Sequence, residues 1–361
     1  MYRPYQHQDL YPVQKPQSKS TADIKATHPT KEEFEAADSK LLDPNQFTLI
    51  SNGRLCLYQI NPLDKDDKQF IAYIQFTCSD ELSQEEVHDI NFTTEFLHES
   101  KEFVSTVKSR KIFRGKMWTI GWRKSQTKGE MAGRYLDSVL IVKNIVGYME
   151  NLLEGITAGN MIYKLFNSIA NTAVKSAQDL LKSLNLPAFQ DPNWKENPTK
   201  DSFASNLAFT RDGFSNRPHA DKDTSNNAFL FLCNTNKQDG SLSLDGHRNP
   251  TFSGPLFVFP DHQFAVDLRK LDGVCRIVFA AGQFRHFTHN VQPDHEQLTS
   301  FGFSLQTTKS CTDAFKRICS NFYKEKAKEN GVEYYIGDPD HILQKAKEKN
   351  SLVLEFVVFC F

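Results

Sequence analysis

Apolar and polar side chains alternate with a period of two through much of the chain after Phe203, which is the pattern of half-buried β-strands. Turn-forming pairs such as Asp212-Gly213 and Asp272-Gly273 separate the alternating runs. The predicted strands are 206–211, 228–233, 255–259, 264–268, 274–280, 284–289 and 298–306. Short strands of this kind, preceded by helices, predict an α+β protein built on a sandwich or jelly roll.

The stretch before these strands has the spacing of a helix instead. Apolar side chains recur every three or four residues through Asp137–Leu186. Gly155 and Gly159 predict a break in this helical stretch, and Pro187 predicts its end. We interpret the stretch as a helical layer that faces the core.

The two ends of the chain are less regular. Residues 1–40 have no apolar periodicity and predict a disordered tail or an arm that orders on a partner. Gln46–Ile60 and Gln69–Thr77 predict strands, and the capping-box sequence at Ser83 predicts a helix through about Val107. Helical pattern returns at 312–330 and 341–349. The resulting division is a tail (1–40), N-terminal strands with the helical layer (41–200), a strand-rich core (201–310), and C-terminal helices with an apolar tail (311–361).

Composition and charge exclude several classes of protein. The 43 basic and 44 acidic residues nearly cancel, which excludes a uniformly basic nucleic-acid coat but leaves room for a local basic patch. The start lacks the apolar segment of a secretory signal, and the apolar run Leu352–Phe361 is too short to span a bilayer. The seven widely spaced cysteines form no Cys-x-x-Cys motif, so we expect reduced thiols in an intracellular protein that binds no membrane.

A local basic patch is present in the segment Lys108–Arg134. Between Phe103 and Arg134 nine lysines and arginines stand against one acidic residue, a net charge of +8. Aromatic residues are interleaved, at positions 113, 118, 122 and 135. We expect the cations, Lys108, Arg110 and Lys111 among them, to contact phosphates while the aromatic rings stack or pack; the bland alternative is a solvated face whose tryptophans belong to the core.

Candidate chemistry begins with the sequence His219-Ala-Asp221 in the strand-rich region. On an extended segment, residues two apart project to the same side, so this imidazole and carboxylate can reach one cation. A later histidine would complete a face of two histidines and one carboxylate, the ligand set typical of non-haem Fe(II). Composition alone gives about 1.3 such His-x-acid pairs by chance, and the chain has two, so the motif needs its context.

That context resembles a known family. Asn206-Leu-Ala-Phe-Thr precedes the His-x-Asp-Lys-Asp sequence; Gly254-Pro-Leu-Phe-Val-Phe-Pro, Val266-Asp-Leu and His286-Phe-Thr follow it in order. These phrases, over about residues 200–310, resemble the TET/JBP family of Fe(II)/2-oxoglutarate-dependent nucleic-acid base dioxygenases, specifically its compact fungal branch. The resemblance implies a double-stranded β-helix (jelly-roll) core flanked by helices.

The resemblance also implies a ligand set. His219, Asp221 and His286 match the iron ligands, because the family places its distal histidine immediately before an aromatic residue and threonine. His289 and His295 remain alternatives for that distal ligand. Fe(II) and 2-oxoglutarate are the implied cofactor and co-substrate.

The co-substrate site departs from the common family pattern. Other members carry Arg-x-Ser on the last strand, where the arginine binds the distal carboxylate of 2-oxoglutarate. Here the run is Gly302-Phe-Ser304, so Ser304 can be carried over and the arginine cannot. A buried carboxylate needs a partner, and Arg217 is the first choice, with Arg285, Arg276 and Arg123 as others.

The implied reaction is oxidation of a methyl group on a flipped base, with 2-oxoglutarate converted to succinate. We expect 5-methylcytosine in DNA to give 5-hydroxymethylcytosine and further oxidised forms, with Asp223 and Thr224 placed to contact the base. An N6-methyladenine demethylase with the same site is an alternative, alone or as a second substrate. A protein or small-molecule 2-oxoglutarate hydroxylase, and a non-catalytic DNA-binding relative, are the other classes. The expected partner is methylated double-stranded DNA, bound by a nuclear monomer.

Overall fold

Two β-sheets face each other across an apolar core. The computed structural model describes residues 10, 28–61, 63–194, 199–292, 295–341 and 344. The smaller sheet has the order β1-β9-β8-β11, and the larger one has the order β13-β5-β4-β6-β12-β7-β10-β3-β2. The strands are β1 Thr48–Ile50, β2 Arg54–Asn61, β3 Asp64–Thr77, β4 Ile112–Lys124, β5 Glu130–Arg134, β6 Asn206–Asn216, β7 Ala228–Asn236, β8 Leu256–Phe259, β9 Phe264–Asp267, β10 Val274–Phe279, β11 Phe287–His289, β12 Leu298–Gln306 and β13 Tyr335–Gly337.

One apolar cluster joins the two sheets. It combines Ile74 and Ile277 of the larger sheet with Phe257, Phe259 and Val266 of the smaller one. All the strands predicted between residues 206 and 306 are present, because their period-two pattern buries one face against this core. The predicted α+β class with a jelly-roll core is confirmed.

The opposite face of the larger sheet is covered by helices. The helices are α1 Lys31–Leu41, α2 Gln84–Ser100, α3 Ser138–Lys143, α4 Ile145–Ser183, α5 Lys309–Cys319 and α6 Phe322–Asn330. Phe166 of α4 packs edge-on against Phe229 of β7, with 5.5 Å between ring centroids, and Phe96 and Leu97 of α2 belong to the same cluster. Within the described residues, no helix is long and apolar enough to cross a membrane.

Helix α4 differs from the sequence prediction in where it bends. It runs unbroken through Gly155 and Gly159, because these glycines serve close packing: a Cβ at Gly159 would lie 2.5 Å from the Gln190 side chain. The kink lies at Ala170 instead (φ −148°, ψ 48°). The helix ends at Ser183, four residues before Pro187.

The chain ends also differ from expectation. Residues 31–40, which the sequence assigns to a tail, form most of α1, whose N-terminus carries a complete capping box between Thr30 and Glu33. Phe34 and Leu41 bury this helix against the smaller sheet. The tail prediction for 1–9 and 11–27, and the apolar segment from residue 352, lie outside the described residues, as does most of the predicted helix 341–349.

Candidate metal centre and active-site cavity

Backbone pairing brings three sequence-distant side chains together. His219 and His286 exchange two backbone hydrogen bonds, with N···O distances of 3.1 and 2.9 Å. The Asp221 N–H donates to the Ala281 carbonyl at 2.9 Å. The segment after β6 is thereby fixed across the strand that precedes β11.

The two imidazoles point the same nitrogen at the carboxylate. His219 Nε2 lies 3.4 Å from Asp221 Oδ1, and His286 Nε2 lies 3.7 Å from Asp221 Oδ2. Each Nδ1 faces a backbone carbonyl instead, that of Arg217 at 2.8 Å and that of Phe284 at 3.2 Å. A proton on Nδ1 would satisfy each carbonyl and leave each Nε2 lone pair available to a metal.

Burial favours the neutral form that a metal requires. It lowers the pKa of His286 to about 4, against a partial opposing effect of Asp221, and it also lowers the pKa of His219. Neutral imidazole is the ligand form, so both rings are ready to bind near neutral pH. In the described part of the chain, these three residues form the one group of metal-ligating side chains close enough to share an ion, with all ligand atoms within 4.8 Å of one another.

The two alternative distal histidines lie elsewhere. His289 is buried with its ring stacked on Phe34 of α1, and its Nε2 is 3.4 Å from Asp38. His295 packs against Phe252, and its Nδ1 accepts hydrogen bonds from the backbone. The geometry therefore favours His286.

The three ligands open into a cavity of about 350 Å³ between the two sheets. Apolar rings and neutral polar side chains line it; among the residues that the structure describes, no lysine or arginine does. The polar lining residues beside the ligands are Thr119, Tyr135, Asn206, Thr210, Asn216, Thr288, Asn290, Ser300, Ser304, Gln306 and Thr308.

Comparison with known proteins assigns the family. The sequence model of the Tet-like 2OG-Fe(II) oxygenase superfamily matches residues 83–291, which is more than half of the chain. The chain belongs to this superfamily. A search of curated proteins finds no match. Among solved structures, a Pseudomonas putida prolyl-4-hydroxylase is similar at 13% identity, with 66% of this chain and 92% of that chain covered and a TM-score of 0.28.

Membership of the Tet-like superfamily implies a dioxygenase that uses Fe(II) and 2-oxoglutarate, and the donor set fits the metal. Two neutral imidazoles and one carboxylate on one face are the ligands that non-haem Fe(II) prefers, with open positions left for other ligands. His219, Asp221 and His286 would hold the ion. Bound iron would supply oxygen-dependent hydroxylation coupled to decarboxylation of the oxoacid.

The structure places Arg217, the first choice from sequence for the distal carboxylate, outside the cavity wall. Its guanidinium lies over the Phe113 ring, 5.4 Å from the centroid, and its backbone N–H donates to the Lys111 carbonyl at 2.7 Å. Burial lowers its pKa. This Tet-like protein therefore departs from the expectation that Arg217 reaches the co-substrate.

The three other candidate arginines are also held elsewhere. Each makes hydrogen bonds or ion pairs away from the cavity: Arg285 with Asp261, Arg276 with the Leu165 carbonyl and the Thr77 hydroxyl, and Arg123 with Glu130. By contrast, Ser304 lines the cavity as expected, and its hydroxyl donates to Gln306 Oε1 at 3.1 Å.

The two residues expected to contact the base separate in the structure. Asp223 is mostly buried, and in the described part of the chain its Oδ2 has no hydrogen-bond partner. Burial, and secondarily the charge of Asp221, raise its pKa to about 8. Thr224 instead lines a different surface cavity against α4, so its predicted contact with the base is not supported by its position.

The basic segment divides into a surface part and a structural part. Lys108, Arg110 and Lys111 are exposed, as expected for phosphate contacts. Arg134 is buried and donates to the carbonyls of Asp191 and Phe189. The tryptophans belong to the core, because Trp118 stacks on Phe209 and Trp122 packs edge-on against Phe315. For these rings, the stacking expectation was wrong and the packing alternative right.

Sequence reasoning missed most of the cavity wall. Thr119, Thr210 and Asn216 carry no motif, and only the register of β4 and β6 shows that they face the metal ligands. A period-two pattern indicates that a strand has two faces but not which polar residues of it border a site.

Proposed function

We propose that this Tet-like oxygenase oxidises the methyl group of 5-methylcytosine in DNA, giving 5-hydroxymethylcytosine and further oxidised forms. The observation that carries the proposal is the exposed basic loop Lys108–Lys111 beside the cavity that contains the metal ligands. A base in a duplex can reach such a cavity only when it is flipped out of the stack, which requires the backbone to be held next to the opening.

The basic loop and the metal centre are directly connected. Val107, the residue before the loop, lines the cavity and donates its N–H to the Met117 carbonyl at 2.8 Å. At the other end, Lys111 accepts the hydrogen bond from Arg217, two residues before the ligand His219. After the larger effect of burial, the positive charge of Lys111 also contributes to the lowered pKa of both ligand histidines. Phosphates bound by this loop would lie at the cavity.

The cavity suits a planar base. Phe214, Phe257, Phe279 and Phe301 supply apolar surface, and amide side chains such as Asn216 supply hydrogen-bonding groups. Flipped bases are held by this combination of apolar contact and hydrogen bonds to the base edge. A polar peptide or small metabolite would not need the exposed cations beside the opening.

The test is mass spectrometry of nucleosides after methylated duplexes are incubated with the protein, Fe(II) and 2-oxoglutarate. We expect 5-hydroxymethylcytosine from duplexes that contain 5-methylcytosine, and none with Asp221→Ala. Loss of N6-methyladenine with release of formaldehyde would assign the alternative base. Absence of any base product, together with DNA binding that does not respond to salt, would indicate a protein or small-molecule hydroxylase instead.

A further inference from the structure

The floor of the cavity contains a dip at Gly302, ringed by hydroxyl groups. In the β12–β6 register Gly302 pairs with Thr210, and in the β12–β7 register it pairs with Leu232. Ser300 and Ser304 lie two residues away on either side along β12 and therefore share its face. All five residues line the cavity.

The dip exists because position 302 has no side chain. A Cβ there would lie 3.0 Å from Leu232 Cδ2 and 3.3 Å from Thr210 Oγ1. Neighbours across the sheet are about 5 Å apart and those along one strand about 7 Å, so the three hydroxyls can converge on one small group above Gly302. The resemblance places an arginine of other family members at this same position.

Two of these hydroxyls are available to a ligand. Ser300 Oγ is buried and, among the described residues, has no hydrogen-bond partner. Thr210 Oγ1 donates to the Gly302 carbonyl at 3.4 Å, which is at the long limit for such a bond. A buried polar atom without a partner is costly, and a bound acceptor would remove that cost.

We propose that Thr210, Ser300 and Ser304 bind the distal carboxylate of the co-substrate 2-oxoglutarate through hydroxyl groups at Gly302, in place of an arginine. A carboxylate accepts several hydrogen bonds at once, and each bond to a charged acceptor is stronger than one between neutral groups. The inference concerns the co-substrate and does not depend on the nucleic-acid substrate proposed above.

The experiment measures co-substrate binding by calorimetry on the Fe(II)-loaded protein without oxygen and without DNA. 2-Oxoglutarate is compared with 2-oxobutyrate, which keeps the oxoacid head but lacks the distal carboxylate. Thr210→Val and Ser300→Ala each remove one hydroxyl with little change in volume. Thr172→Val, on the exposed face of α4, is the matched control.

We expect the parent protein to prefer 2-oxoglutarate. Thr210→Val and Ser300→Ala should each weaken 2-oxoglutarate binding roughly tenfold or more, while 2-oxobutyrate binding stays within about twofold of the parent value. Gly302→Ala should act in the same direction by filling the dip; if that variant does not fold, the two hydroxyl variants still decide.

Three outcomes would overturn the proposal. The first is a parent protein that binds both oxoacids equally. The second is unchanged 2-oxoglutarate affinity in both hydroxyl variants. The third is a selective loss of 2-oxoglutarate affinity in Arg217→Ala, which would show that a cation holds the carboxylate after all. None of these results depends on whether DNA is the substrate.

Discussion

The backbone, rather than the side chains, sets the position of each metal ligand residue. His286 keeps its two backbone bonds to His219 whatever its side chain is. We therefore predict that His286→Ala folds but loses more than about 100-fold in turnover, since one of three protein ligands is gone. Metal titration and circular dichroism of the same sample check both halves. Turnover at the parent rate would show that His286 is not a ligand.

His289 should behave in the opposite way, because its ring stacks on Phe34 and faces Asp38 rather than the cavity. We predict that His289→Ala lowers the free energy of unfolding by about 1–3 kcal/mol, through poorer packing and an Asp38 carboxylate left without this partner. Fe(II) affinity should stay at the parent value. Thermal unfolding and metal titration distinguish this result from a ligand role, in which metal affinity would fall first.

A third residue, His98, couples stability to pH. Burial, and then the charges of Arg211 and Lys101, lower its pKa to about 4. The unfolded chain takes up this proton near pH 6.5 and the folded protein does not, so stability is full above 6.5 and falls as the pH drops toward 4. We predict that His98→Gln flattens this part of a urea-unfolding profile against pH. A profile parallel to that of the parent would assign the acid sensitivity to other groups.

At the scale of elements, the kink of α4 has a physical cause on the neighbouring strand. The Leu165 carbonyl, one turn before Ala170, accepts hydrogen bonds from the Ser168 hydroxyl at 3.1 Å and from Arg276 of β10 at 3.2 Å. Helices bend where side chains insert polar groups into the backbone ladder in this way. Arg276 thus holds the helical layer to the sheet.

We predict that Arg276→Met destabilises the fold by about 1–3 kcal/mol, because the Leu165 carbonyl and the Thr77 hydroxyl lose their buried donor. Arg248→Met, in which the replaced side chain is 72% exposed, is the control and should change little. Chemical denaturation of both variants provides the measurement. Equal midpoints would mean that the buried cation costs as much to desolvate as its bonds return.

The same element scale shows what the sequence could and could not predict. Strand positions were predictable because one face of each strand is buried and the pattern alternates. The His219 and His286 ligands were predictable because their motifs are local. Gly155 and Gly159 misled, since a glycine that permits close packing looks the same in sequence as one that breaks a helix. The hydroxyl ring at Gly302 depends on the register of three strands, which only the folded chain reveals.

For the whole molecule, the charge balance determines how DNA can be bound. The 43 basic and 44 acidic residues give no overall attraction to a polyanion, so affinity must come from a local cluster. The exposed loop Lys108–Lys111 is the cluster next to the metal centre. If it binds phosphates, its removal should weaken binding to all DNA sequences equally, because phosphate contacts carry no sequence information.

We predict that changing Lys108, Arg110 and Lys111 together to glutamine lowers duplex affinity and reduces the log–log salt slope by about 0.9 for each phosphate that the variant no longer neutralises. The metal site should be unaffected, so 2-oxoglutarate binding and thermal stability should match the parent. A triple lysine-to-glutamine change at 324, 326 and 328 on α6 removes the same charge elsewhere and should leave the slope nearly unchanged. An unchanged slope in the loop variant, or equal reductions in both triple variants, would show that the loop is only a solvated face and that DNA, if bound, is held by another surface.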